Sequence, residues 1–149
     1  MMERANKGNC MRLLAALLLG LALFNLCAAA AFTDAGQIRE TEAVNTLASL
    51  GIIVGAGDGN FYPNSPITRE EAMTLIYRTM DEIDWTLSYE SYARASSFSD
   101  YGSVSSYAKD AITELVSHGV ILGNNGKITP KSNITRAEMA CILHRVLTY

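Results

Sequence analysis

Five residues near the middle of the chain return near its end. Ile67-Thr68-Arg69-Glu70-Glu71 is echoed by Ile134-Thr135-Arg136-Ala137-Glu138. In each copy a Thr stands where a helix N-cap belongs and a Glu follows three residues later. Both therefore predict a capping box, in which the Thr oxygen accepts from the N3 amide and the N3 carboxylate accepts from the N-cap amide. Ile134 and Met139 add a hydrophobic staple at the second start, and Ile67 and Ala72 a weaker one at the first. Apolar residues then fall at helical spacing: Ala72, Leu75, Ile76, Met80 and Ile83 behind one cap, Met139, Ile142, Leu143 and Val146 behind the other.

Each capped helix closes a longer repeat. Phe32-Thr33-Asp34 opens the first and Phe98-Ser99-Asp100 the second. A helix follows each opening, with Val44, Leu47 and Ala48 as the apolar stripe of one and Ala108, Ala111, Ile112 and Leu115 of the other. Both stop at a glycine, Gly51 or Gly119, followed by an apolar residue, which predicts Schellman ends with the glycine left-handed. A loop dense in Gly, Asn and Asp comes next, running from Gly55 to Pro63 in one copy and from Gly123 to Pro130 in the other. Such loops turn tightly through positive φ, and Phe61 and Ile128 are their expected inward anchors. The unit is helix, ordered loop, helix, and the predicted fold is all-α: two such units packed as a small helical bundle. The expected boundaries are 32–80 for repeat 1, 81–97 for a linker or extra helix (a short one near Tyr89–Ala95), and 98–149 for repeat 2.

Residues 1–31 stand apart. Arg4, Lys7 and Arg12 precede a nearly unbroken apolar run from Leu13 to Leu26, and Cys27 to Ala31 are small. The pattern predicts a cleaved secretory signal peptide, with an uncleaved N-terminal anchor as the alternative. Without Arg4, Lys7, Arg12 and Glu3, the chain's twelve basic and fifteen acidic residues become nine and fourteen, a net charge of −5. An acidic exported domain is a poor partner for nucleic acid, so any anion it binds must be recognised locally. Cys141 is then the lone thiol, read as a small packed residue, and no internal disulfide can form.

The order Phe-x-Asp, apolar helix, Gly-Ile-Ile-x-Gly, Asp-Gly-x-Phe-x-Pro, Ile-Thr-Arg-x-Glu resembles the S-layer homology (SLH) domain. Copy one carries it in Gly51–Gly55, Asp58–Pro63 and Ile67–Glu71, and copy two in Gly119–Gly123, Gly126–Pro130 and Ile134–Glu138. The resemblance covers almost all of the chain after the leader. It implies non-covalent anchoring to a bacterial cell wall through a secondary cell-wall polysaccharide, often pyruvylated and hence anionic. It implies three repeats in many members, with binding grooves between repeats, and groove roles for the Thr-Arg arginine and a first-helix Trp. This chain has two repeats, and the Trp position is Tyr107 in copy two and Arg39 in copy one.

The candidate polysaccharide-binding residues are therefore Arg136, Tyr107, Gly123, Arg69 and Gly55. A cation beside free helix N-terminal amides suits a carboxylate, and an aromatic face suits a sugar. Against this, surface arginines commonly pair with acids, Tyr107 has half-buried packing as its competing role, and glycines serve turns. Asp58-Gly59-Asn60 is not a calcium loop, since Ala56 stands where an earlier ligand belongs. His118 and His144 lack metal-ligand spacing. No nucleophile motif, phosphate loop or metal cluster is present, so neither cofactor, metal nor catalysis is expected. Two alternatives stay open: a structural protein pairing with SLH repeats of other chains or with itself as a homodimer, and an accessory subunit of a wall-active enzyme.

Overall fold

The computed structural model describes residues 32–87 and 92–148, so the predicted leader, residues 88–91 and Tyr149 lie outside the described residues. Among the described residues there are four α-helices: α1 (Thr41–Ser49), α2 (Arg69–Glu82), α3 (Lys109–Ser117) and α4 (Arg136–Thr148). Short 3-10 turns occupy Ala35–Gln37, Ala95–Ser97, Tyr101–Ser103 and Ser106–Ala108. Pairing between extended segments among the described residues is limited to two isolated bridges, Thr68 with Asn133 and Asn124 with Lys127.

Local chemistry sets the helix ends. At α2 the Thr68 amide donates to Glu71 Oε2 at 2.7 Å and the Glu71 amide donates to Thr68 Oγ1 at 3.3 Å. The α4 box repeats this, with the Thr135 amide 2.9 Å from Glu138 Oε2 and the Glu138 amide 3.2 Å from Thr135 Oγ1. At the other end of α1, Ile52 N–H reaches the Leu47 carbonyl at 3.0 Å and Gly51 N–H the Ala48 carbonyl at 3.0 Å. After α3, Val120 reaches Leu115 at 2.9 Å and Gly119 reaches Val116 at 3.0 Å. Gly51 and Gly119 have φ of 73° and 72°, so both ends are Schellman motifs.

The opening Asp of each repeat fastens the loop. Asp34 takes the Phe61 and Tyr62 amides at 2.9 and 2.7 Å, and Asp100 takes the Ile128 and Thr129 amides at 2.9 and 2.8 Å. The anchors land inward: Ile128 is fully buried, and the Phe61 ring lies 5.4 Å from that of Phe32. Arg78 and Arg145 then tie each second helix to its loop, donating to the Ile52 and Val120 carbonyls at 3.1 Å each.

The two repeats are unequal. Phe32, Ile38 and Val44 form a small cluster in repeat 1. The main core is built on Ala108, Ile112, Leu115, Val116, Val120, Ile121 and Ile128 of repeat 2, and α2 contributes Met73 and Met80 to it. The buried face of α2 differs from the expected stripe. Met73, outside that stripe, is fully buried, because α2 turns a second face toward repeat 2; Ile83, inside it, is 60% exposed, because the helix ends one residue earlier. In α4, Ile142 and Val146 are buried but Leu143 is exposed. The segment between the repeats contributes too: Leu87 and Ala93 pack on the main core, and the Tyr92 amide donates to the Ser117 carbonyl at 2.6 Å. The helix expected near Tyr89–Ala95 falls mostly outside the described residues, and residues 92–94 are irregular before the 3-10 turn.

The N-terminus of α2 meets the loop of repeat 2. Arg69 N–H donates to the Ser132 carbonyl at 2.8 Å and Glu70 N–H to the Pro130 carbonyl at 3.0 Å, while Ile134 N–H returns to the Ile67 carbonyl at 3.2 Å. The first amides of α2 are thus taken up within the fold, so the expectation that they stand free for a ligand carboxylate does not hold at that helix.

Candidate functional site

A groove of about 630 Å³ opens along this seam. Arg69 forms one edge. The Ile121–Asn125 turn, Lys127 and the α4 residues Glu138, Cys141 and Arg145 form the rest. Three cations face one acid, and that acid is already engaged on both oxygens.

Arg69 is held on two sides. Its Nε donates to the Ile128 carbonyl at 2.9 Å and its Nη1 to Glu138 Oε1 at 2.8 Å, with its side chain 11% exposed. A guanidinium has five N–H groups, so three have no partner among the described residues. Glu138 works twice, since Oε2 closes the α4 capping box and Oε1 orients Arg69. Its carboxyl is held below the ordinary range, first by the Thr135 amide, then by the Thr135 hydroxyl, with Arg69 adding to both. Lys127 is exposed on the groove rim, and Arg145 is fixed by its bond to Val120.

Gly123 lines the groove with φ of 66°. A Cβ there would sit 2.8 Å from the Lys127 carbonyl oxygen and press into the Phe98 ring. The loop therefore needs this glycine irrespective of any ligand. Gly55 is its counterpart, with φ of 71° and a virtual Cβ 2.7 Å from both the Asn60 carbonyl and the Phe32 ring.

Of the residues expected from sequence, Arg69 and Gly123 meet in this groove, while Arg136, Tyr107 and Gly55 do not line it. Tyr107 belongs to a neighbouring polar cluster. Its ring is half exposed, and its hydroxyl donates to Glu70 Oε1 at 3.0 Å. Glu70 is 2% exposed and also accepts from Lys131 Nζ at 2.6 Å, Ser105 Oγ at 2.8 Å and the Ser105 amide at 3.1 Å. Lys131 further contacts Ser105 Oγ. Burial pushes the Glu70 carboxyl up, but these donors outweigh it and hold it below its ordinary value. Burial, and then the Glu70 carboxylate, push the Tyr107 hydroxyl up to about 12. Arg136 is exposed with no hydrogen-bond partner among the described residues. Cys141 is exposed on the groove side of α4 rather than packed, because nothing among the described residues covers that face.

Lys127, Arg145 and Glu138 were missed as groove residues. Arg145 had a signal: it is offset from Arg78 by the same interval that separates Thr135 from Thr68. Lys127 had none, because its counterpart is Asn60. Among the described residues no group of three or more His, Cys, Asp or Glu is placed to hold a metal. Nor is any described helix long and apolar enough to cross a membrane.

Tandem helix–loop–helix units that meet at a seam lined by Arg69, Lys127 and Arg145 define a repeat-built helical module. The chain belongs to the S-layer homology domain family, whose model matches residues 31–73 and 97–140. It is 35% identical over 106 residues to an amylopullulanase of Thermoanaerobacterium thermosulfurigenes, covering 70% of this chain and 6% of that one. It is 35% identical over 106 residues to the exoglucanase XynX of Acetivibrio thermocellus, covering 70% and 10%. An S-layer protein of Bacillus licheniformis is 26% identical over 112 residues, covering 73% and 12%. The chain thus spans a small part of each of these relatives, and the enzymes match it through the repeat region. The family is one of cell-surface modules found in surface-layer proteins and in enzymes alike. No solved structure matches the chain.

Proposed function

We propose that this chain anchors non-covalently to the bacterial cell wall by binding an anionic secondary cell-wall polysaccharide, and that the groove between the repeats takes the polymer's carboxylates, those of pyruvate ketals being the best fit. The observation that carries this is the pairing of a preset guanidinium, Arg69, with Lys127 and Arg145 around the glycine turn at Gly123. A guanidinium whose Nε and one Nη1 N–H are fixed keeps its remaining donors aimed, and such a fork recognises carboxylate in two-pronged fashion. On a chain of net negative charge, this clustering of three cations favours anion binding at the groove. The role is anchoring rather than catalysis, with residues 1–31 as the export signal and the two repeats as the wall-facing part.

The test is co-sedimentation with purified wall sacculi before and after extraction of the secondary polymer. Binding is expected to vanish with the polymer and to weaken with rising salt, since the cations are partly exposed. Lys127→Gln should reduce binding about tenfold, as expected for loss of a charge-assisted contact of about 1.4 kcal/mol, and lower the melting temperature only slightly, since Lys127 also lies in the field of the Asp100 carboxylate. Retained binding to extracted sacculi would overturn the proposal.

A further inference from the structure

The loop that walls the groove carries the chain's only Asn-Gly pair, Asn125-Gly126. Every other asparagine is followed by a residue with a side chain. Such a pair is chemically weak. A backbone nitrogen can attack the side-chain amide carbon of the preceding Asn, and glycine puts no Cβ in the way of that approach. The structure sets the pair at the tip of a two-residue turn. Asn124 N–H donates to the Lys127 carbonyl at 2.8 Å and Lys127 N–H to the Asn124 carbonyl at 3.0 Å. Asn125 and Gly126 have φ of 49° and 70°, the turn for which Asn-Gly is the favoured sequence.

Nothing at the tip guards the pair. Asn125 and Gly126 are both exposed. Neither the Asn125 side chain nor the Gly126 N–H has a hydrogen-bond partner among the described residues. A Cβ on Gly126 would meet nothing within 4 Å, so solvent reaches the reacting atoms. Two backbone bonds close the turn, and an exposed tip of this kind opens locally at small cost. Opening frees Asn125 from its left-handed conformation and lets the Gly126 nitrogen reach the amide carbon. The same place in copy one is occupied by Asp58-Gly59, which already carries the acid. Both Asp58 carboxylate oxygens are engaged there, Oδ1 by the Asn60 amide at 2.9 Å and Oδ2 by the Tyr62 hydroxyl at 2.5 Å.

We propose that Asn125 deamidates spontaneously to aspartate and isoaspartate, placing a new carboxylate on the wall of the groove. The Gly126 nitrogen gives its proton to solvent and bonds to Asn125 Cγ, and the side-chain nitrogen leaves as ammonia. Water then opens the resulting cyclic imide at one of its two carbonyls. One opening gives aspartate, and the other gives isoaspartate, in which the main chain runs through the side-chain carbon. Water is the sole co-reactant. Asn125 lines the groove with Arg69, Lys127 and Arg145. The product therefore sets a negative charge among three cations and weakens the hold on an anionic polymer. Isoaspartate also lengthens the chain between Asn124 and Lys127, whose two bonds close the turn. The effect on binding rests on the groove reading given above, whereas the chemistry at Asn125 does not.

The test is to age the purified protein in warm, mildly alkaline buffer and follow it by peptide mass mapping and by enzymatic methylation of isoaspartate. The peptide that holds Asn125 is expected to gain the mass of an amide-to-carboxylate exchange and to score for isoaspartate, with the remaining asparagines unchanged. Asn125→Gln is expected to lose both signals. Aged protein should bind wall sacculi about two- to fivefold more weakly than fresh protein, the range of one exposed charge interaction. Aged Asn125→Gln should bind as its own fresh sample does. An Asn125 that stays intact, or other asparagines that react as fast, would overturn the proposal. Modified protein that binds like fresh protein, where Lys127→Gln binds more weakly, would overturn the effect on the groove. Should Lys127→Gln bind normally as well, the groove reading is what fails, and the mass and isoaspartate signals still decide the modification.

Discussion

At the scale of single residues, two copies of one motif do different work. Thr68 and Thr135 are both N-caps, legible because a cap is local: donor, acceptor and spacing lie within four residues. Thr135→Ala is expected to cost about 1 kcal/mol, the usual loss at an N-cap. Thermal melts check this, and an unchanged midpoint would show that the Thr135 oxygen contributes nothing at 3.2 Å from the Glu138 amide. The arginines one residue on were not legible in the same way. Arg69 is clamped by Ile128 and Glu138, 59 and 69 residues away in sequence, whereas Arg136 has no described residue in that relation to it. The sequence alone ranks Arg136 first because Tyr107 shares its repeat. The structure brings Tyr107 to Glu70 beside Arg69 instead, since Arg69 serves the seam with the following repeat. Glu70 shows the same limit: nothing in its neighbours announces that Lys131, Ser105 and Tyr107 converge on it.

At the scale of elements, the loops were readable because unusual backbone demands unusual residues. Gly51 and Gly119 ended the helices as expected, and the opening Asp of each repeat, read only as a landmark, proves to be the clamp on the following loop. The same reasoning separates two neighbouring glycines. Gly126 has φ of 70° with open space where a Cβ would go, so Gly126→Ala should cost about 1 kcal/mol for the left-handed backbone alone. Gly123 has φ of 66° and meets the Lys127 carbonyl at 2.8 Å, so Gly123→Ala adds a backbone clash and should cost roughly 3 kcal/mol. Denaturant midpoints of the two variants measure the difference. Equal shifts would mean that the loop yields to the clash, and that the tight packing of Gly123 on Phe98 does not hold the groove wall. Helix faces were less readable. Period identified α2 as amphipathic, but it has two buried faces, one for its own repeat and one for the next, and a single-stripe reading passed over Met73.

At the scale of the whole molecule, the division into two repeats was visible in sequence, whereas their inequality was not, because it depends on α2 lending Met73 and Met80 to the core of repeat 2. The charged groups that fasten the loops and the seam set a common pH window for folding. Asp34, Asp58, Glu70, Asp100 and Glu138 all have carboxyls held below their ordinary values by backbone and side-chain donors. A group depressed on folding contributes stability that is complete above its unfolded pKa, about 4 for carboxylates, and is lost as pH falls through the folded value. Tyr107 acts in the opposite direction. Its hydroxyl is raised to about 12, so its contribution is complete below about 10, the unfolded value for tyrosine, and is lost as pH rises toward 12. Melting temperature against pH should therefore show a plateau, with an acid limb falling below about pH 4 and an alkaline limb falling above about pH 10. Tyr107→Phe should lower the plateau, because Glu70 loses a donor, and make the alkaline limb shallower while leaving the acid limb in place. An alkaline limb identical in the variant would show that the Tyr107–Glu70 contact does not couple protonation to the seam. A plateau extending undiminished to pH of about 2 would mean that the clamped carboxylates are not what holds the loops to the repeats.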